Sequence, residues 1–437
     1  MSAKTFPLTK KQLEGIAEKY PTPFYLYDEA AIRKNVKALL AAFSVFPGYK
    51  EHFAVKALPN PYILKILAAE GLGADCASMT EMLLADIAGM KGEELMLSSN
   101  ETPAREYVKA RELGAIVNLD DFTHINFLEK ALEKSDALSV AMRTMPELVT
   151  CRYNPGPLKE GNAIIGKPEE AKYGFTREQL FDGYKLLRDK GVKRFGLHTM
   201  VASNELSLDY HLETGKMLFE LALEIKTRCG IKLEFVNLGG GLGIPYRPEQ
   251  QAVSWVALAG GLKKLYDEII VKGGLDGMAI HTEYGRPITG PYGWFVARAI
   301  HKKEIYRNYI GLDACMADFM RPAYYKAYHH ITVPGKENAP HDKIYDVVGS
   351  LCENNDKFAI QRELPEIDVA ANGTHGDFVV IHDAGAHGRA MGFNYNGKLR
   401  CGELLLRPDG SVLQIRRSES VEDYFATLDL DGLDKFT

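Results

Sequence analysis

Residues 52–57 read HFAVKA, 73–78 GADCAS, 94–99 ELMLSS and 115–120 AIVNLD, four short apolar runs spaced 21 residues apart. Between them lie stretches such as NPYILKILAAE (60–70) and MTEMLLADIAGM (79–90). Their apolar residues recur at three- and four-residue intervals, the period of a helix with one buried face. Strand, helix, strand at constant spacing predicts a parallel sheet covered by helices. The rhythm continues with longer insertions through LSVAMRT from 138, RFGLHTM from 194, EFVNLGG from 234 and MAIHTEYG from 278. Eight such units over roughly 250 residues are the size of a (β/α)8 TIM barrel, and their regularity favours closure over an open doubly wound sheet.

After about residue 290 the texture changes. KIYDVVGSL (343–351), DFVVIHDAG (377–385), KLRCGELLL (398–406) and SVLQIRR (411–417) are short β-type runs separated by Gly, Pro and Asn turns. They predict an all-β domain. PTPFYLYD (21–28) also reads as a strand, before the barrel begins. The expected organisation is an N-terminal segment, 1–35, lending a strand to the β domain, a barrel over 36–288, and a C-terminal β domain over 289–437.

Composition narrows the function classes. The chain has 437 residues, 46% hydrophobic and 25% charged, with a net charge of -5. That balance gives no reason to expect nucleic acid or an anionic membrane as partner. The first residues lack the apolar core of a signal peptide, and no run approaches membrane-spanning length. The six cysteines lie apart with no C-x-x-C pair, as in a reduced cytoplasmic protein with neither disulfide framework nor metal cluster.

A barrel of this kind builds its active site at the C-terminal ends of its strands. Those ends carry Lys56, Asp75, Ser99, Asn118, Arg152, His198, the Gly239-Gly240-Gly241 turn, and Glu283 with Arg286. A lysine that closes an apolar strand either snorkels to solvent or serves a site, because burying its charge unpaired is costly. The triple glycine lets backbone N–H groups approach an anion such as a phosphate. A phosphorylated cofactor that needs an amine satisfies both, and pyridoxal phosphate is one.

FAVKA (53–57), LGGGLGIPY (238–246), EYGRP (283–287), DACMADFMRPAYYKAYHHI (313–331), GSLCENNDKF (349–358) and GAHGRAMGFNYN (385–396) occur in one order along the chain. Together they resemble the fold-type III pyridoxal phosphate decarboxylases, most closely the diaminopimelate decarboxylases. The resemblance implies a barrel followed by a β domain, pyridoxal 5'-phosphate as cofactor, and a homodimer whose active sites are shared across the interface. It implies decarboxylation of meso-2,6-diaminopimelate to L-lysine and CO2. By this resemblance Lys56 holds the cofactor, Gly239, Gly240 and Gly241 cradle its phosphate, and Glu283 pairs with the pyridine nitrogen. Cys352, lent by a partner subunit, protonates the carbanion. Arg321, Tyr325 and Arg286 match positions that hold the substrate's distal carboxylate, and Glu353 matches the acid that meets its distal ammonium. Arg286 could instead serve the cofactor phosphate, since a guanidinium suits either anion.

The chain departs from the family pattern at three points. HTMVAS (198–203) keeps His198 and Ser203 but places Met200 where a histidine stacks on the cofactor ring, and Ala202 where glycine is usual. His387 replaces a tyrosine that touches phosphate and substrate, and Tyr284 replaces a proline. A thioether packs well against an aromatic ring, so the cofactor is expected to remain while the substrate could shift to D-lysine, D-ornithine or a carboxylated polyamine such as carboxynorspermidine. A non-catalytic cofactor carrier is the reading from another class; the presence of Lys56, Glu283 and Cys352 together weighs against it.

Other motifs fail on their own mechanics. GNAIIGKP (161–168) has Pro168 where a P-loop needs a hydroxyl, and LDLDGLDKF (428–436) lacks the ligand spacing of a calcium loop. The adjacent histidines of YHHI (328–331) would face opposite ways on a strand, which suits packing or hydrogen bonding better than a metal.

Overall fold

The computed structural model describes residues 4–160, 166–371 and 375–433, so the first part of GNAIIGKP and the end of the LDLDGLDKF tail lie outside the described residues. The chain forms two compact units, one of residues 31–245 and 251–288, the other of residues 1–30, 246–250 and 289–437.

The second of these units holds a helix, Lys10–Lys19, and then β1, Phe24–Asp28, described with its sheet below. The first unit is the predicted closed barrel of eight parallel strands: β2 Lys50–Ala54, β3 Gly73–Cys76, β4 Leu95–Ser98, β5 Ile116–Leu119, β6 Leu148–Tyr153, β7 Arg194–Thr199, β8 Phe235–Asn237 and β9 Ala279–Thr282. β9 returns to pair with β2, which closes the ring. Local chemistry keeps the units short and regular. The helix Pro61–Ala69 starts with proline in its first turn, and the Asn60 side chain accepts from Tyr62 N–H. The next, Met79–Ala88, is capped by Ser78 and stops at Gly89, whose φ of 107° suits glycine. Met96, Ile116, Leu148 and Phe235 fill the lower barrel with an apolar plug. The inward positions two residues further along β4, β5 and β8 are polar: Ser98, Asn118 and Asn237.

Two expectations need correction. LSVAMRT is no strand: Val140–Met142 form a 3-10 turn with Val140 81% exposed, and the barrel strand is Leu148–Tyr153. An apolar run that the packing leaves on the surface cannot serve as a barrel stave. Lys56 does not end its strand either, because β2 stops at Ala54 and Val55–Ala57 form a 3-10 turn. The lysine therefore stands above the barrel rim.

In the other unit, β10 Gly293–Glu304, β11 Asn308–Leu312, β12 Ile331–Thr332, β13 Lys343–Val348, β14 Lys357–Leu364, β15 Phe378–Ile381, β16 Gly402–Leu406 and β17 Val412–Arg416 join β1. The path runs β14-β13-β11-β10-β1-β16-β17, with β15 pairing both β10 and β12. β1 is central, antiparallel to β10 and parallel to β16. Its alternate residues Phe24 and Leu26 pack with Leu13, Trp294, Val296, Phe378, Val380, Leu404 and Leu406. Among the described residues no helix is long and apolar enough to cross a membrane.

Candidate active site

The period-2 alternation of parallel strands brings their last inward side chains to one mouth. Glu283, one residue past β9, is the hub. Its Oε2 meets His198 Nε2 at 3.0 Å, and its Oε1 accepts from Asn237 Nδ2 at 2.8 Å and from Ser98 Oγ at 3.5 Å. Asn118 Nδ2 donates to Ser98 Oγ at 3.2 Å. The inward residue of β4 is thus Ser98 and not Ser99, since one step along a strand reverses the face. Asn237, which sequence reasoning passed over beside the conspicuous glycines, joins two parts of the site. It donates to Glu283 and accepts from Gly239 N–H at 2.9 Å. Its spacing of two from the inward Phe235 was the signal available.

The glycines are required by close approach. Gly239 and Gly241 have φ of +67° and +91°, and a Cβ on Gly239 would lie 2.1 Å from Thr199 O. A Cβ on Gly240 would lie 2.4 Å from Glu283 O, while Glu283 N–H donates to Gly239 O at 2.9 Å. The turn and the acid are therefore stitched backbone to backbone. Met200 leans on this turn, with Gly240 N–H pointing at its Sδ at 3.4 Å. Ser203 follows, half-buried. A Cβ on Gly285 would press Ala57 and Ala54, so the Glu283–Arg286 stretch packs on the turn that carries Lys56. Arg286 is buried at the head of a short helix, and Lys56 is exposed.

Electrostatics separate the two acids of the mouth. Full burial pushes Glu283 up, but the charge and hydrogen bond of His198, then the charges of Lys56 and His52, outweigh it and hold the carboxyl at about 2. Asp75 is raised well above the usual carboxylate range, first by burial and then by the neighbouring Glu283 charge. The same mouth thus pushes its two acids in opposite directions. Asp75 Oδ1, Asn118 Oδ1 and His198 Nδ1 are buried with no hydrogen-bond partner among the described residues. Such atoms are costly unless a polar guest meets them. Arg152, also at a strand end, pairs with Asp120 at 3.3 Å and lies 4.2 Å from the Tyr173 ring.

The remaining expected site residues belong to the β unit. Arg321 is buried at the start of the helix Arg321–Tyr325, and its guanidinium lies 5.3 Å from the Tyr246 ring and 5.7 Å from the Tyr325 ring. Cys352 is exposed, unlike the other five cysteines. It shares a loop with exposed Glu353, whose Oε1 accepts from Asn355 N–H at 3.2 Å. Asp356 anchors that loop by accepting from Met316 and Leu351 N–H groups, each at 2.7 Å. His387 is half-buried with φ of +53°, an uncommon conformation for a residue with a side chain.

Comparison with known proteins gives this geometry a family. Residues 29–290 match the family described as pyridoxal-dependent decarboxylase, pyridoxal binding domain. The chain belongs to the pyridoxal-dependent decarboxylases. It is 39% identical to Protein TabA of Pseudomonas amygdali pv. tabaci, covering 99% of this chain and 96% of that protein. It is 31% identical to a diaminopimelate decarboxylase of Methanothermobacter thermautotrophicus over 93% of this chain and 92% of that one. Among solved structures, the diaminopimelate decarboxylase of M. jannaschii in complex with L-lysine superposes with a TM-score of 0.85 at 27% identity, covering 95% of this chain and 94% of the other. The decarboxylase uses pyridoxal phosphate, and the barrel mouth fits that group. A buried acid held ionised suits a pyridinium, the orphaned polar atoms suit a polar guest, and an exposed lysine stands on the adjoining turn.

Proposed function

We propose that this decarboxylase acts on an amino acid with a second carboxylate at its far end, meso-2,6-diaminopimelate foremost, and releases L-lysine and CO2. What supports the substrate class is the 31% identity to a diaminopimelate decarboxylase along nearly the whole chain, with Arg321 and Tyr325 standing in the RPAYY segment at the positions that resemble that family's carboxylate holders. A guanidinium fork matches a carboxylate with two parallel hydrogen bonds. Tyr325 supports that fork. Arg286 serves either this carboxylate or the cofactor phosphate, and Glu353 meets the distal ammonium.

At the reacting end, Lys56 would hold the cofactor through its amine. Gly239, Gly240, Gly241, Ser203 and His387 would serve to hold the phosphate, and Met200 would support the ring. Pyridoxal phosphate, when bound, supplies a protonated ring that accepts the electron pair of the breaking Cα–carboxylate bond. Glu283 holds the proton on the pyridine nitrogen, a task for which a carboxyl that stays ionised down to about pH 2 is suited. Cys352, which we assign to a partner subunit of a homodimer, would deliver a proton from its Sγ to Cα.

A second reading is favoured by the 39% identity to Protein TabA together with Met200 and His387. In it the chemistry is the same and the substrate is another amino acid, such as D-lysine, D-ornithine or a carboxylated polyamine. The test offers purified protein with pyridoxal phosphate meso-diaminopimelate, D-lysine and D-ornithine in parallel, and measures CO2 and amine. Lysine formed from diaminopimelate alone supports the first reading. Turnover of D-lysine or D-ornithine in preference refutes the distal carboxylate.

A further inference from the structure

We infer that His329 is the positioning residue that sets the plane of Arg321 and thereby the selectivity for a distal carboxylate. The inference rests on the proposed role of Arg321 and adds a second residue to it.

His329 is fully buried just before β12. Its Nδ1 lies 2.8 Å from the backbone oxygen of His382. A carbonyl oxygen can only accept, so Nδ1 carries the proton and the neutral ring presents Nε2 as an acceptor. Arg321 Nε–H points at that atom from 3.4 Å. The ring itself is boxed edge-on by Tyr246, with centroids 4.8 Å apart, and by Phe319 at 4.7 Å. Arg362 Nη1 donates to the His329 carbonyl at 2.9 Å, which fixes the backbone as well. Backbone, tautomer and ring plane of His329 are all fixed, and Arg321 inherits its orientation from them. A buried aromatic ring would fill the same space. What histidine adds is one donor for His382 and one acceptor for Arg321, at opposite ends of a rigid ring.

Two substitutions separate these functions. His329→Asn keeps a donor near the Nδ1 position and lacks the distant acceptor; His329→Gln reaches the Nε2 position with an acceptor oxygen. The readouts are kcat and KM for meso-diaminopimelate, the kcat/KM ratio of diaminopimelate over D-lysine, and the inhibition constant of pimelate, a dicarboxylate of equal carbon count without amines. His329→Asn is expected to raise KM and the pimelate constant about tenfold to hundredfold, the loss of a hydrogen bond to a charged group. Its kcat should stay within about threefold and its selectivity ratio should fall with KM. His329→Gln should recover most of the loss. Equal behaviour of the two variants, or a loss in kcat with KM unchanged, overturns the inference. If either variant fails to fold, the pimelate constant of the other decides, since only loss with Asn or retention with Gln agrees with positioning. Arg321→Ala serves as the reference. If it leaves KM for diaminopimelate unchanged, the distal-carboxylate reading falls. If it raises KM while His329→Asn does not, only the role of His329 falls.

Discussion

Replacing Glu283 by glutamine keeps the shape of the hub and removes its charge. The Glu283 carboxyl sits at about 2 instead of 4.5 although it is fully buried. At about 1.4 kcal/mol per tenfold change in proton affinity, its surroundings favour the charged form by about 3 kcal/mol. His198, Asn237 and Ser98 are arranged for an acceptor that is negative throughout the working pH range. A neutral amide forfeits that preference and no longer holds a proton on the pyridine nitrogen. Glu283→Gln should therefore lower kcat by about a hundredfold, the equivalent of about 3 kcal/mol, with KM changed far less. Steady-state kinetics with pyridoxal phosphate in excess measure this, and the absorbance of the bound cofactor should shift in parallel. The stability effect has a defined sign. A carboxyl depressed in the folded state contributes stability that is present above pH 4.5 and is lost as pH falls toward 2. The melting difference between wild type and Glu283→Gln should thus be constant above pH 6 and shrink below 4.5. A variant that keeps more than a third of wild-type kcat with unchanged cofactor absorbance would refute the role given to this charge.

Other perturbations follow from the same geometry. Gly240→Ala places a methyl 2.4 Å from Glu283 O, and should lower cofactor occupancy, read by absorbance, at a cost of about 1–3 kcal/mol in melting stability. Arg321→Lys keeps the charge but loses the planar fork, and KM for diaminopimelate should rise about tenfold with kcat nearly constant. Cys352→Ala removes the proposed proton donor and should lower kcat at least about a hundredfold while substrate binding, measured by calorimetry, persists.

Much of the fold was legible because period and spacing are local properties. The 21-residue rhythm marked the first four barrel strands, and β-type runs between turn residues marked β1, β13, β15, β16 and β17. LSVAMRT misled because a short apolar run carries no record of whether it will be buried, and Val140 stays in solvent. β10, β11 and β14 went unseen: of KFAIQREL only the first two residues fell in a motif, and the rest was not read as a strand. At the site, Lys56, the glycines and Glu283 stood out through their residue types. Asn237 did not, because its value lies in joining Gly239 to Glu283, two partners set by the fold. His329 was harder still. Both histidines precede β12 and meet His382, His330 through its ring at 5.4 Å and His329 through its Nδ1, while His329 also meets Arg321. Which of them faces the arginine depends on a reversal of the chain between residues 321 and 329 and on Tyr246, from a distant part of the sequence.

The central claim is that Lys56, on its turn above the barrel rim, is the amine that tethers pyridoxal phosphate. Borohydride reduction of the cofactor-loaded protein, followed by proteolysis and mass spectrometry of the peptides, tests it directly. The account predicts a phosphopyridoxyl mass on the peptide containing Lys56, and none on that peptide in Lys56→Ala. Label on another lysine, with Lys56 unmodified, would contradict it.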